Sequence, residues 1–72
     1  MEKLPEFQLQ GHPFVELDAL LKLAGLCDTG GMAKTAIAGS RVTVDGEVEL
    51  RRRRKVRAGQ IVVYDGRTIV VR

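Results

Sequence analysis

Six cations occupy the seven positions Arg51-Arg52-Arg53-Arg54-Lys55-Val56-Arg57. Guanidinium and ammonium groups at this density suit one task above others, the holding of phosphate oxygens through charge-assisted hydrogen bonds. A merely solvated charged face is the plainer reading. It is a costly one, because neighbouring like charges repel and the local sequence offers few acids beyond Glu47 and Glu49 to balance them. Charge is also segregated along the chain. Residues 1–50 carry four basic side chains (Lys3, Lys22, Lys34, Arg41) against eight acidic ones, a net of −4, while residues 51–72 carry eight basic side chains against Asp65 alone, a net of +7. Solubility needs no such asymmetry, which implies a polyanionic partner. RNA or DNA backbone is the leading expectation, and an acidic protein docked by the arginines, in an adaptor role, is the alternative.

A second candidate lies at Gly30-Gly31-Met32-Ala33-Lys34. If these residues open a helix, its free amide hydrogens and dipole favour an anion, two glycines let a phosphate approach, and Lys34 reaches it from one turn along. The glycines could equally serve a tight turn or helix packing.

Other chemistries are poorly supplied. Cys27 is the only thiol and His12 the only imidazole, so neither an internal disulfide nor a four-ligand Cys/His zinc site can form. No nucleophile–base set or paired carboxylates stand out, and no phosphate-binding Gly-x-x-x-x-Gly-Lys-Ser/Thr run exists. The chain is therefore expected to be non-catalytic, with no cofactor and no metal, and Cys27 to be a small buried hydrophobe. Three aromatic residues are few for stacking splayed single strands. Phe7 and Phe14 sit where core side chains are expected, which leaves only Tyr64. Folded RNA, recognised through backbone and shape, is the better match. No apolar run is long enough to span a bilayer, and Met1 to Glu6 shows no export signal, so a cytoplasmic, monomeric protein with no membrane association is expected.

The elements that must position these groups are legible in outline. With 72 residues there is room for one domain over 1–72. Phe7-Gln8-Leu9-Gln10 alternates like a half-buried strand and is broken at Gly11-His12-Pro13. Leu17, Leu20, Leu21 and Ala24 form the apolar stripe of a first helix that Gly25 closes, with Lys22 turned toward water. Asp28 or Thr29 caps a second helix that buries Ala33, Ala36 and Ile37 and ends at Gly39-Ser40. Two hairpins follow, turning at Asp45-Gly46 and Asp65-Gly66, with Ala58-Gly59 between them. The fold class is α+β, two helices on a small, mainly antiparallel sheet. If Val48 and Leu50 face the core, continued alternation would point Arg52 and Arg54 inward. Regular pairing is therefore expected to end near Leu50, leaving Arg51 to Lys55 as an exposed loop.

The order Leu17 to Gly25, Thr29 to Ala33, Val42-Thr43-Val44-Asp45-Gly46 and Val56-Arg57-Ala58-Gly59-Gln60-Ile61 resembles the RNA-binding domain named after small-subunit ribosomal protein S-four. Its helix–turn–helix-then-hairpin arrangement is the αL motif, here spanning about residues 15–64. Gly30-Gly31-x-Ala33-Lys34 together with Glu49-x-Arg51-Arg52-x-x-Lys55 is similar to the family's small stand-alone, YbcJ-like branch. Departures are Thr29-Gly30 for a common Ser-Arg, Asp45 for the usual Asn, Ser40 for a frequent Gly and Gln60 for Asp. The resemblance implies structured RNA, ribosomal or transfer RNA, as partner, and leaves a ribosome-associated role open. It also implies that RNA lies across Lys22, Gly30, Gly31, Lys34, Arg51, Arg52, Arg53, Arg54 and Lys55.

Overall fold

The computed structural model describes residues 5–72, so the polar start read at residues 1–4 lies outside the described residues. In chain order the elements are β1 (Glu6–Phe7), β2 (Val15–Glu16), α1 (Leu17–Leu23), α2 (Gly30–Ala38), β3 (Val42–Val44), β4 (Glu47–Val48), β5 (Lys55–Val56), β6 (Ile61–Tyr64) and β7 (Arg67–Val71). Five strands form one sheet in the order β1-β7-β6-β3-β4, and β2 pairs with β5 apart from it. The α+β expectation holds. The main sheet is mixed, because β1 runs parallel to β7 while the other pairs are antiparallel.

Two tight turns set the sheet's register. Asp45-Gly46 has φ of 51° and 85°, and Asp65-Gly66 has 52° and 73°. Left-handed values at both positions make type I′ turns, whose twist matches that of paired strands. In the first hairpin Val44 pairs with Glu47 and Thr43 with Val48, so Glu47 shares the inner face with Val44. Alternation then carries Glu49 inward, 7% exposed, and turns Val48 and Leu50 to solvent at 54% and 60%. The expectation that Val48 and Leu50 face the core is thus overturned, because a two-residue turn fixes register whatever the second strand would rather bury.

Leu17, Leu20 and Leu21 of α1 and Ala33, Ala36 and Ile37 of α2 pack with Val42, Val44, Val62, Ile69 and Val71 of the sheet and Val56 of β5. Burying each large aliphatic side chain contributes roughly 1.5–3 kcal/mol. Helix α1 closes as its glycine foretold: Gly25 has φ 78°, and Leu26 N–H donates to Leu21 C=O at 2.9 Å while Gly25 N–H donates to Lys22 C=O at 3.1 Å. Thr29 caps α2, its Oγ1 accepting from Met32 N–H at 3.1 Å. At the far end the left-handed residue is Ser40, φ 61°, and not Gly39.

The strand expected at 7–10 is two residues long, because Gln10 (φ 54°) and Gly11 (φ 89°) turn the chain away. Strand β2 was not expected. Two residues carry no readable period, and only the partner strand makes them extended.

Candidate nucleic-acid interface

The basic run hangs on a buried carboxylate. Glu49 Oε2 accepts from Arg51 N–H at 3.0 Å and Arg51 Nε at 3.1 Å. Its Oε1 accepts from Arg51 Nη2 at 3.2 Å and from Arg54 Nη1 at 2.6 Å. A carboxylate so enclosed requires several donors to offset its lost hydration. The Arg51 bonds, side chain first and backbone next, outweigh that burial and hold Glu49 down to about 2. Of the few local acids, Glu49 engages two arginines, and Asp18, from outside the run, brings its Oδ2 to 3.8 Å from Arg52 Nε.

The backbone of the run is held as firmly. Leu17 N–H donates to Arg54 C=O at 2.9 Å and Asp18 N–H to Arg52 C=O at 3.0 Å. Helix α1 has no side-chain cap at Glu16, so the loop's carbonyls satisfy its first free amides. Beyond the loop, Lys55 and Val56 pair with Glu16 and Val15 as β5 on β2. Residues 51–54 are therefore an anchored loop, as expected outside regular pairing, whereas Lys55 belongs to a strand.

These restraints leave an open recess of about 570 Å³ lined by Arg51, Arg53, Arg54, Lys55, Arg57 and Gln60. Arg53 is exposed, with no carboxylate within ion-pair distance among the described residues. Lys55 Nζ lies 5.0 Å and Arg57 Cζ 5.9 Å from the Phe14 ring centroid, within cation–π range. Phe14, expected in the core, is instead half-buried beneath these cations. Gln60 braces the far wall: its Oε1 accepts from Arg57 N–H at 2.9 Å and its Nε2 donates to Asp45 Oδ2 at 3.0 Å. Asp45 Oδ1 accepts from Ile61 N–H at 2.9 Å. That bond, with Gln60's, draws the Asp45 pKa below the usual carboxylate range, and both oxygens are occupied by Gln60 and Ile61.

Of the nominated residues, Arg51, Arg53, Arg54 and Lys55 meet in this recess, while Arg52 turns to Asp18. Lys22 is exposed in the last turn of α1, and Gly30, Gly31 and Lys34 are exposed in the first turns of α2. A side chain at Gly30 would meet nothing within 4 Å, and one at Gly31 only Thr29 Oγ1 at 3.7 Å, so packing does not explain the glycines. Gly31 lines a second recess, which shares no residue with the basic run. Sequence reasoning missed Glu49 as the organiser, Phe14 as the floor for Lys55 and Arg57, and Gln60 as the brace. Arg57 stood in the basic run and could have been nominated. Cys27 is buried and its thiol pKa is raised by desolvation. Among the described residues no three His, Cys, Asp or Glu side chains gather as a metal site, and no helix is long and apolar enough to cross a membrane.

Known proteins are similar to this chain. YbcJ of Escherichia coli (strain K12) is 51% identical over 65 residues, 90% of this chain and 93% of YbcJ. RlbA of Bacillus subtilis (strain 168), described as a probable ribosome maturation protein, is 38% identical over 52 residues, 72% of this chain and 73% of RlbA. The solution structure of E. coli YbcJ, described as revealing an αL motif involved in RNA binding, superposes with a TM-score of 0.75 at 48% identity, covering 99% of this chain and 90% of that one. The sequence profile of the S4 domain matches residues 7–72. With the αL helices, the hairpin and the anchored basic loop in place, the chain belongs to the S4 domain family, a family of non-enzymatic binding modules.

Proposed function

We propose that this protein is a non-catalytic RNA-binding module that grips structured RNA, ribosomal or transfer RNA, by its phosphate backbone. The observation that carries this reading is the recess of Arg53, Lys55, Arg57 and their neighbours, whose backbone is tied to the start of α1 and whose Arg51 and Arg54 side chains are held by Glu49. Preorganised cations lose little side-chain freedom on binding, which favours affinity. Residues 1–72 act as one domain, with the RNA-binding motif at about 15–64. Backbone contacts come from Arg51, Arg52, Arg53, Arg54 and Lys55, and Lys22, Gly30, Gly31 and Lys34 extend the surface across the helices. The relatedness to RlbA, described as a probable ribosome maturation protein, supports work beside ribosomal particles, and the proposed form is a cytoplasmic monomer.

Sedimentation of cell extract tests this directly. The protein should travel with ribosomal particles or their precursors at low salt, and an Arg53→Ala/Lys55→Ala double variant should stay at the top of the gradient. In-cell crosslinking with sequencing of bound RNA then identifies the target. A protein that sediments free of particles and crosslinks to no RNA would overturn the reading.

A further inference from the structure

The second recess, about 520 Å³, has a chemistry of its own. It is lined by Thr29, Gly31, Met32, Thr35, Arg41 and Tyr64, with Ala36 at its base. Met32 stands at its opening, 45% exposed. Tyr64 ends β6, paired with Val42 and Arg67, and its half-buried ring packs against the core. Arg41 is placed by the closure of α2, its N–H donating to Ala36 C=O at 3.1 Å. No carboxylate lies within ion-pair distance of Arg41 among the described residues. Thr35 donates its hydroxyl proton to Gly31 C=O at 3.0 Å, leaving the oxygen's lone pairs to accept.

We propose that this recess receives one unpaired nucleotide of the bound RNA, its base against Tyr64 and Met32 and its phosphate on Arg41. The inference rests on the RNA-binding reading above and deepens it: the protein reads an unpaired nucleotide as well as the backbone. An aromatic ring, an apolar floor and a single free guanidinium match one nucleotide, whose flat base is apolar on its faces and whose linkage carries one charge. An acidic peptide would want more than one cation. The volume lies within the range of sites that enclose small ligands. Gly31 belongs both to this recess and to the proposed backbone surface, so one RNA can reach both.

The test compares a stem–loop RNA, carrying 5-iodouridine in its unpaired loop, with a blunt duplex of the same stem. Arg41→Ala and Tyr64→Leu should each weaken stem–loop binding about tenfold, equivalent to about 1.4 kcal/mol, and leave duplex binding unchanged. Tyr64→Phe, which keeps the ring, should bind the stem–loop like the wild type. Ultraviolet crosslinking of the iodinated loop should map to the Tyr64 or Met32 peptide. Arg41 is exposed, so its variant tests the idea even if Tyr64→Leu fails to fold. Equal losses on the two RNAs, no loss on either, or crosslinks confined to Arg51–Lys55 would overturn this inference while the backbone-binding reading stands. Failure of the wild type to bind either RNA would overturn both.

Discussion

Arg54 Nη1 lies 2.6 Å from Glu49 Oε1, joining the loop's most enclosed guanidinium to a carboxylate on the sheet's inner face. The pair is structural before it is functional. Glu49→Gln keeps the side chain's size but turns the strongest acceptor in the loop into an amide that cannot satisfy two guanidiniums. Stability should fall by about 1–3 kcal/mol, read as a lower midpoint in urea. An unchanged midpoint would mean that the Arg51 and Arg54 contacts are incidental.

The same carboxylate gives the fold an acid limit. Glu49 titrates at about 2 when folded and at about 4.3 when unfolded, so folding favours its ionised form. That stabilisation is complete above about 4.3 and is lost as pH falls through about 2. Because Arg51 is 74% exposed and screened by water, the amount lost should be about 1–2 kcal/mol. Urea midpoints across this window should fall in the wild type and be flatter in Glu49→Gln; parallel curves would assign the acid sensitivity to other groups.

Ser40 offers the opposite effect. Its φ of 61° places a Cβ in the left-handed region, which costs about 1 kcal/mol or more for residues other than glycine. Ser40 N–H donates to Ile37 C=O at 3.1 Å, a backbone bond that substitution preserves. Ser40→Gly should therefore stabilise the protein by about 0.5–1 kcal/mol and raise Tm by about 2–6 °C. Calorimetry decides, and a lower Tm would show that the hydroxyl contributes something the geometry does not reveal.

The arginines should not behave alike. Arg53 and Lys55 are free of carboxylate partners among the described residues, whereas Arg54 is bound to Glu49 and only 29% exposed. Arg53→Ala and Lys55→Ala should each flatten the plot of log RNA affinity against log salt by about 0.7–0.9 with little change in melting. Arg54→Ala should mainly destabilise, by about 1–3 kcal/mol. Fluorescence anisotropy over a salt series, beside thermal melts, separates the two behaviours, and identical responses from all three would contradict the division of roles.

Much of the fold was legible because local rules agreed with one another. The Leu17, Leu20 and Leu21 stripe, Gly25, the Thr29 cap and both Asp-Gly turns signal the same elements that form. The orientation of the first hairpin was misread where two rules conflicted. Val48 and Leu50 alternate as core residues do, yet the register set by the Asp45-Gly46 turn carries Glu49 inward and leaves Glu47 exposed on the edge strand, and register outranks hydrophobicity in so short a strand. The basic run was visible as a source of cations. Its geometry was not, because Asp18 and Phe14 act on it across the fold, where periodicity reports nothing, and Glu49, though close in sequence, organises it only once the turn has directed its carboxylate inward.

The carbonyls of Arg52 and Arg54 that cap α1 tie the length of the loop to the placement of the helix. One added residue between them would slip the acceptors out of step with Leu17 and Asp18, and the first helical turn would lose its closure. Evolution and protein engineering are thus free to exchange the unpaired side chain of Arg53 but not to lengthen the segment. Recognition can be retuned by substitution at Arg53 or Lys55, while an insertion would unsettle the scaffold that presents them.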